Sequence, residues 1–211
     1  MLASRSATAK IGAILVCVNP AYRLYELEYA LNKVECKALI TAEAFKTSQY
    51  LSMIQNLAPE LEKCEPGELQ AAKIPHLRLV IRMGSEGTPG MFNFPDICAL
   101  ATDETLSQIE TIGDTLSTDE IINIQFTSGT TGNPKGASLT HRGILNNGRF
   151  VAGSMRLDAS DRLCIPVPLY HCFGMVMGVL GCISVGATMV FPGEAFEPDA
   201  TMRAVSDEKC T

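Results

Sequence analysis

The sequence predicts an α/β fold built of mostly parallel sheets flanked by helices. Three observations carry that reading. Short uncharged runs rich in Val, Ile and Leu recur along the chain, amphipathic stretches with apolar residues three and four apart lie between them, and Gly, Pro and Asn gather at the junctions. The 211 residues, 46% hydrophobic and 19% charged, suffice for a sizeable core and lack the composition of a disordered chain. The net charge of −6 comes with no basic block, which argues against a nucleic-acid partner.

Ile11 to Val18 reads as the first strand, closed by Asn19-Pro20. Leu24, Leu27, Leu31 and Val34 then recur at helical spacing, with Glu26, Glu28 and Lys33 on the opposite face. Ala38-Leu39-Ile40 is a short strand. Tyr50, Met53, Ile54 and Leu57 mark a second amphipathic helix that Pro59 ends. Residues 60–75 read as a charged loop, Leu77 to Ile81 as a strand, and the Gly- and Pro-rich 82–95 as the least ordered stretch. One short helix is expected within 96–112. Beyond it, Ile121 to Phe126 is a buried β-branched strand and Ala137 to Thr140 a brief one. Thr140 suits the N-cap of a helix whose buried face is Ile144, Leu145, Gly148, Val151 and Ala152. A strand over Leu163 to Tyr170, a buried helix from His171 to near Gly186, a strand over Ala187 to Phe191 and a helix from Pro198 complete the series. No cap or turn signal is visible at Lys209-Cys210-Thr211.

The stretch richest in chemistry is Thr127-Ser128-Gly129-Thr130-Thr131-Gly132-Asn133-Pro134-Lys135-Gly136. Glycine lets the backbone turn through positive φ and brings N–H groups to a ligand with no Cβ in the way. A row of such donors beside hydroxyls suits phosphate oxygens, and Lys135 adds a mobile positive charge. Asn133-Pro134 is a turn pair that sets where Lys135 emerges. A flexible surface loop is the alternative, but anchoring to a strand and the Pro-Lys-Gly ending favour phosphate binding. The loop is not a kinase-type P-loop: Pro134 holds the second glycine position counted from Gly129, and Gly136 follows the lysine. A dinucleotide fingerprint is absent too.

Residues 163–193 contain no Asp, Glu, Lys or Arg, a span that could cross a bilayer. Pro166, Pro168, His171 and the glycines break it, so it reads as buried strand, turn and helix. Gly174-Met175-Val176-Met177-Gly178 matches a helix-dimer motif only by accident. Met1 to Val18 imitates a weak signal or transit peptide, yet ends in Asn19-Pro20 as a strand would. The eight Cys are far apart, with no C-x-x-C and no zinc spacing to the three His, so no metal ligands are expected. A secreted disulfide framework is the alternative to reduced, mostly buried thiols inside the cell, and the low Cys density favours the latter. His76 and His141 read as surface residues. On the residues alone, His171 is either a core histidine at a helix start or part of a site.

The run from Thr127 to Gly136 resembles the signature of the adenylate-forming enzymes, the superfamily of acyl-CoA synthetases, luciferases and peptide-synthetase adenylation domains. Gly12 to Tyr22 with Glu26 to Leu31, and Pro168-Leu169-Tyr170-His171-Cys172-Phe173-Gly174, are similar to segments upstream and downstream of that loop. Lys37 to Ile40, Phe45 to Thr47 and Asn123 to Phe126 look most like mitochondrial medium-chain acyl-CoA synthetases. The resemblance implies an incomplete piece of the large N-terminal domain of such an enzyme, with residues 1–211 a partial AMP-binding domain. The family's adenine-binding block and its C-terminal lid with a catalytic lysine are expected after Thr211, and Met1 to Lys10 looks like the tail of a family helix. The implied activity is AMP-forming ligation of a fatty acid, using ATP, Mg2+ and coenzyme A. Thr127 to Lys135 are the implied nucleotide-binding residues, Lys135 and His171 the catalytic ones, and the mitochondrion the implied location, without an evident targeting segment. A non-catalytic nucleotide- or acyl-binding remnant is the alternative.

Overall fold

In the computed structural model, which describes residues 2–127 and 132–211, strands and helices alternate along the chain as the periodicity predicts. In order they are α1 (Leu2–Lys10), β1 (Leu15–Cys17), α2 (Leu24–Lys33), β2 (Ala38–Thr41), β3 (Ala44–Phe45), β4 (Ser48–Gln49) and α3 (Tyr50–Leu57). Then come β5 (Leu79–Arg82), β6 (Met91–Asn93), α4 (Phe94–Ile97), α5 (Asp103–Thr115), β7 (Ile121–Thr127), β8 (Lys135–Thr140) and α6 (His141–Met155). The series ends with β9 (Arg162–Cys164), a π-helical stretch (Phe173–Leu180), α7 (Gly181–Val185), β10 (Thr188–Val190) and α8 (Pro198–Asp207). The described chain divides into two units, one of Val18–Ile109 with Thr127–Gly136, the other of Met1–Cys17, Glu110–Phe126 and Ala137–Thr211.

The first unit is organised on a parallel sheet of order β2-β5-β6. Leu39, Val80 and Met91 lie in register across it and pack on Leu27 and Leu31 of α2 and Ile54 and Leu57 of α3. The Arg23 N–H donates to Glu26 Oε2 at 3.1 Å, which closes the N-terminus of α2. Residues 60–75, expected as a loop, contribute as much core as either helix: Leu61, Leu69, Ala71 and Ile74 are all buried. They follow no regular period, so the pattern hides them. Their backbone is held by Leu69 N–H to Arg78 O (3.0 Å) and Ala72 N–H to Glu60 Oε1 (3.1 Å).

Two residues past the apolar row, Thr41, Arg82 and Asn93 form a polar row in the same register. The Arg82 side chain is 7% exposed. It donates to Glu43 Oε2 (2.7 Å), Glu86 Oε2 (3.0 Å), Glu86 O (2.8 Å) and Thr88 Oγ1 (3.0 Å). A buried guanidinium needs such partners. It also corrects the reading of 82–95 as the least ordered stretch: Arg82 gathers that segment and β6 completes it. Residues 96–112 hold more helix than the one short element expected, since α5 alone runs for 13 residues.

In the second unit β1 and β7 pair in parallel, Leu15 opposite Asn123, and β8 joins on the far side of β7. Asn123, 3% exposed, donates from Nδ2 to Leu15 O at 2.9 Å and accepts from Gln125 Nε2 at 2.8 Å. Thr140 caps α6 as expected, its Oγ1 accepting from the Gly143 N–H at 3.0 Å. Arg142 adds a clamp, donating to both oxygens of Asp119 (2.7 and 3.1 Å) and to Thr118 Oγ1 (2.7 Å). The buried stripe of α6 is Ile144, Gly148 and Ala152, whereas Leu145, expected inside, is 50% exposed on the flank.

The apolar 163–193 segment folds as β9, a connection, the π-helical stretch with α7, and β10, with β9 and β10 parallel. Among the described residues no helix is long and apolar enough to cross a membrane. Gly174 and Gly178 are there for close packing. A Cβ at 174 would lie 2.5 Å from Pro168 O and 2.8 Å from Val167 O, and one at 178 would lie 3.0 Å from Ile165. The helix ends at Gly186 with φ 80°, a conformation that favours glycine. The end of α8 is turned by Lys209 at φ 51°, a cap invisible in the sequence because the residue is not glycine. The thiols are free, but fewer are buried than expected: Cys182 is buried, Cys98 and Cys172 are exposed, and the others are intermediate.

Gly174→Ala should lower stability by about 1–3 kcal/mol, because the atoms in the way are backbone carbonyls that cannot rotate aside. Gly113→Ala, in α5 with nothing within 4 Å, should raise it by about 0.5–1 kcal/mol. Urea unfolding of the two variants checks both signs.

The Arg142 guanidinium bonded to it holds the Asp119 carboxyl below its ordinary value of 3.8. A carboxyl depressed in the folded state takes up a proton on unfolding. Its stabilisation is therefore complete above the unfolded value and lost as pH falls through the folded one. Thermal melts of wild type and Asp119→Asn should differ at pH 7 and converge in strong acid, below the depressed folded-state value. A gap that persists there would contradict the clamp.

Candidate functional site

Strand β7 delivers Thr127 to the loop and β8 collects the chain again at Lys135. Thr127 Oγ1 donates to Lys135 O at 3.4 Å, so the two ends of the loop are brought together. Ser128, Gly129, Thr130 and Thr131 lie outside the described residues. Gly132 sits at φ 156°, at the margin of the region glycine favours, and a Cβ there would meet nothing within 4 Å. The turn, not crowding, selects the glycine. Asn133 is exposed and its Oδ1 accepts from the Tyr25 hydroxyl at 3.5 Å. Pro134 is half-buried and places Lys135 at the exposed start of β8. Among the described residues none makes an ion pair or hydrogen bond with the Lys135 ammonium. An exposed ammonium beside Gly132 and Asn133 can neutralise an anion.

His171 belongs to the second unit and is exposed, which removes the core-histidine alternative. Its backbone N–H donates to Pro168 O at 3.2 Å, and its carbonyl accepts from Met175 N–H at 3.1 Å. The ring turns back on the helix it opens: Nδ1 accepts from the Phe173 N–H at 3.1 Å. An accepting Nδ1 assigns the hydrogen to Nε2, leaving one donor to face outward. His171 can therefore offer an N–H to an anionic oxygen while its ring is held by the helix start.

Of the other histidines, His76 is exposed as expected. His141 departs from its surface reading: it is half-buried at the start of α6, with Nε2 buried and lacking a partner among the described residues. Tyr25 went unremarked in the sequence. It is 66% exposed, off the Leu24-Leu27-Leu31 stripe, and an aromatic on the polar face of α2 is the signal that could have marked it. No group of three or more His, Cys, Asp and Glu that could hold a metal ion occurs among the described residues.

The chain matches the family described as AMP-binding enzyme over residues 1–211. It is 43% identical over 210 residues to the protein provisionally named acyl-CoA synthetase YngI of Bacillus subtilis, covering 100% of this chain and 38% of that one. It is 44% identical over 209 residues to the medium-chain acyl-CoA ligase ACSF2, mitochondrial, of Danio rerio, and 41% identical over 210 residues to the Homo sapiens protein of the same name. Each match covers 97% of this chain and 34% of the relative. The chain thus spans little more than a third of the length of the relatives it matches. Among solved structures it is similar to the anthranilate CoA ligase AuaEII in complex with anthranoyl-AMP, with a TM-score of 0.73, 24% identity, and coverage of 99% of this chain and 36% of that one. The apo structure of Mycobacterium smegmatis MbtA gives a TM-score of 0.77 at 22% identity, covering 99% and 34%. At such identity these two speak for the fold alone, and they agree with the parallel α/β architecture described above. A family match across all 211 residues, on a glycine-turned loop between adjacent strands, leads to one statement: this chain belongs to the AMP-binding enzymes.

Proposed function

We propose that the chain is a partial AMP-binding domain of an AMP-forming fatty acyl-CoA ligase. In that reaction a fatty-acid carboxylate attacks the α-phosphate of Mg-ATP, pyrophosphate leaves, and coenzyme A displaces AMP from the acyl-adenylate. A carboxylate is a weak nucleophile, so the rate depends on positioning and on neutralising the charge that gathers on the leaving pyrophosphate. Thr127 to Gly132 would hold the β- and γ-phosphates, with Asn133-Pro134 presenting Lys135 to their charge. His171 would donate Nε2–H to an oxygen of the acyl or phosphoryl group. The observation that carries the reading is the exposed Lys135 at the mouth of a loop whose described turn residue, Gly132, opens onto free space. The names of the ACSF2 relatives support a medium-chain acid and a mitochondrial location. The Bacillus relative leaves the location to be tested.

The alternative reading is a nucleotide- or acyl-binding piece that does not catalyse. Two measurements separate the readings. Calorimetry with Mg-ATP should show binding that Lys135→Ala weakens about ten-fold, the size expected for one charge-assisted contact. Pyrophosphate release with ATP, octanoate and coenzyme A then distinguishes a catalytic chain from a binding one. Unchanged ATP affinity in Lys135→Ala would remove the loop assignment from both.

A further inference from the structure

Cys164 and Cys210 stand together in the second unit, in a place the ligase chemistry does not use. Cys164 is the last residue of β9, and Cys210 lies just past α8, where Lys209 turns the chain and the Cys210 N–H donates to Val205 O at 2.9 Å. Glu208 and Thr211, which bracket Cys210, are seated on Arg162 of β9. Arg162 donates from its guanidinium to Glu208 O (2.5 Å) and Glu208 Oε2 (2.6 Å) and from its backbone to Thr211 Oγ1 (3.1 Å). Thr211 returns its N–H to Arg162 O (3.2 Å) and its hydroxyl to Asp161 Oδ1 (2.8 Å). Residues 162 and 164, two apart on a strand, share a face. The seat sets the Cys210 thiol, which donates to Ala204 O at 3.7 Å, beside the Cys164 thiol. Both thiols are half-buried. Burial, and then the neighbouring Cys210, push the Cys164 thiol up, so that alone it is slow to react.

We propose that Cys164 and Cys210 are an oxidisable dithiol that closes to a disulfide and staples the end of α8 to β9. Hydrogen peroxide serves as the oxidant. One thiolate attacks a peroxide oxygen and breaks the O–O bond, leaving a sulfenic acid and hydroxide. The second thiolate then attacks the sulfenic sulfur and expels its hydroxide. The two thiol protons convert both hydroxides to water. Two thiols and one peroxide thus give one disulfide and two waters, the sulfur pair losing two electrons to the peroxide.

The test treats the 211-residue chain with peroxide, alkylates the remaining thiols and maps the digest by mass spectrometry. A Cys164–Cys210 peptide two hydrogens lighter than its separate halves, released by dithiothreitol, is the expected product. Oxidation should also raise the thermal midpoint of the wild type and leave that of Cys210→Ser unmoved. Should that variant not fold, the wild-type map decides alone. Alkylated Cys164 and Cys210 in a sample whose exposed Cys98 and Cys172 are oxidised would overturn the pairing. So would a Cys164 linked indiscriminately to several cysteines. Neither outcome depends on the ligase reading, which Lys135 tests separately.

Discussion

One constraint underlies the site: β7 and β8 lie side by side, so the chain between Thr127 and Lys135 must leave and return over the width of one strand spacing. The Thr127 Oγ1 bond to Lys135 O fastens that mouth. Gly132, at φ 156°, turns the backbone just ahead of that mouth. The parallel pairing of β1 with β7 holds the strand that feeds it, and buried Asn123 ties the two together through Leu15 O. A lysine placed at the first residue of β8 then has a fixed root and an ammonium without a partner among the described residues. That combination suits an anion whose charge changes during a reaction.

Small residues have a comparable effect in the second unit. Gly148 of α6 faces Leu180 and Gly181 closely enough that a Cβ would lie 2.8 Å from Leu180 Cβ, and Gly174 rests on the carbonyls of Val167 and Pro168. These contacts pack one side of a segment without charges, with Met175, Val176, Val179 and Cys182 buried. They also place His171, since the turn from Pro168 is what brings its ring nitrogen to the Phe173 N–H. In the first unit the same role of fixing irregular chain falls to a charge, with Arg82 drawing Glu43, Glu86 and Thr88 around itself.

Much of this was legible in the residues. The helices α2, α3 and α6 and the strands β2, β7 and β10 follow from spacing and β-branching, and the Thr140 cap from its hydroxyl before a helical stripe. The misses have physical causes. Leu61, Leu69, Ala71 and Ile74 are buried in an irregular path, so no period announces them. The 82–95 stretch looked loose because its organiser, Arg82, acts through contacts made only after folding. Leu145 lies at the flank of the α6 stripe, where spacing alone cannot decide exposure. For the site, the loop composition named Thr127, Gly132 and Lys135, while Tyr25 reaches Asn133 across more than a hundred residues, a contact sequence spacing does not register.

The central claim is that Lys135 meets the phosphate tail of a nucleotide, and chemical protection of that amine tests it most directly. The rate of Lys135 modification by a water-soluble amine-acylating reagent, read by mass spectrometry, should fall several-fold in the presence of Mg-ATP or pyrophosphate and stay near its free value with adenosine. Equal labelling of Lys135 with and without ATP at saturating concentration would contradict that claim.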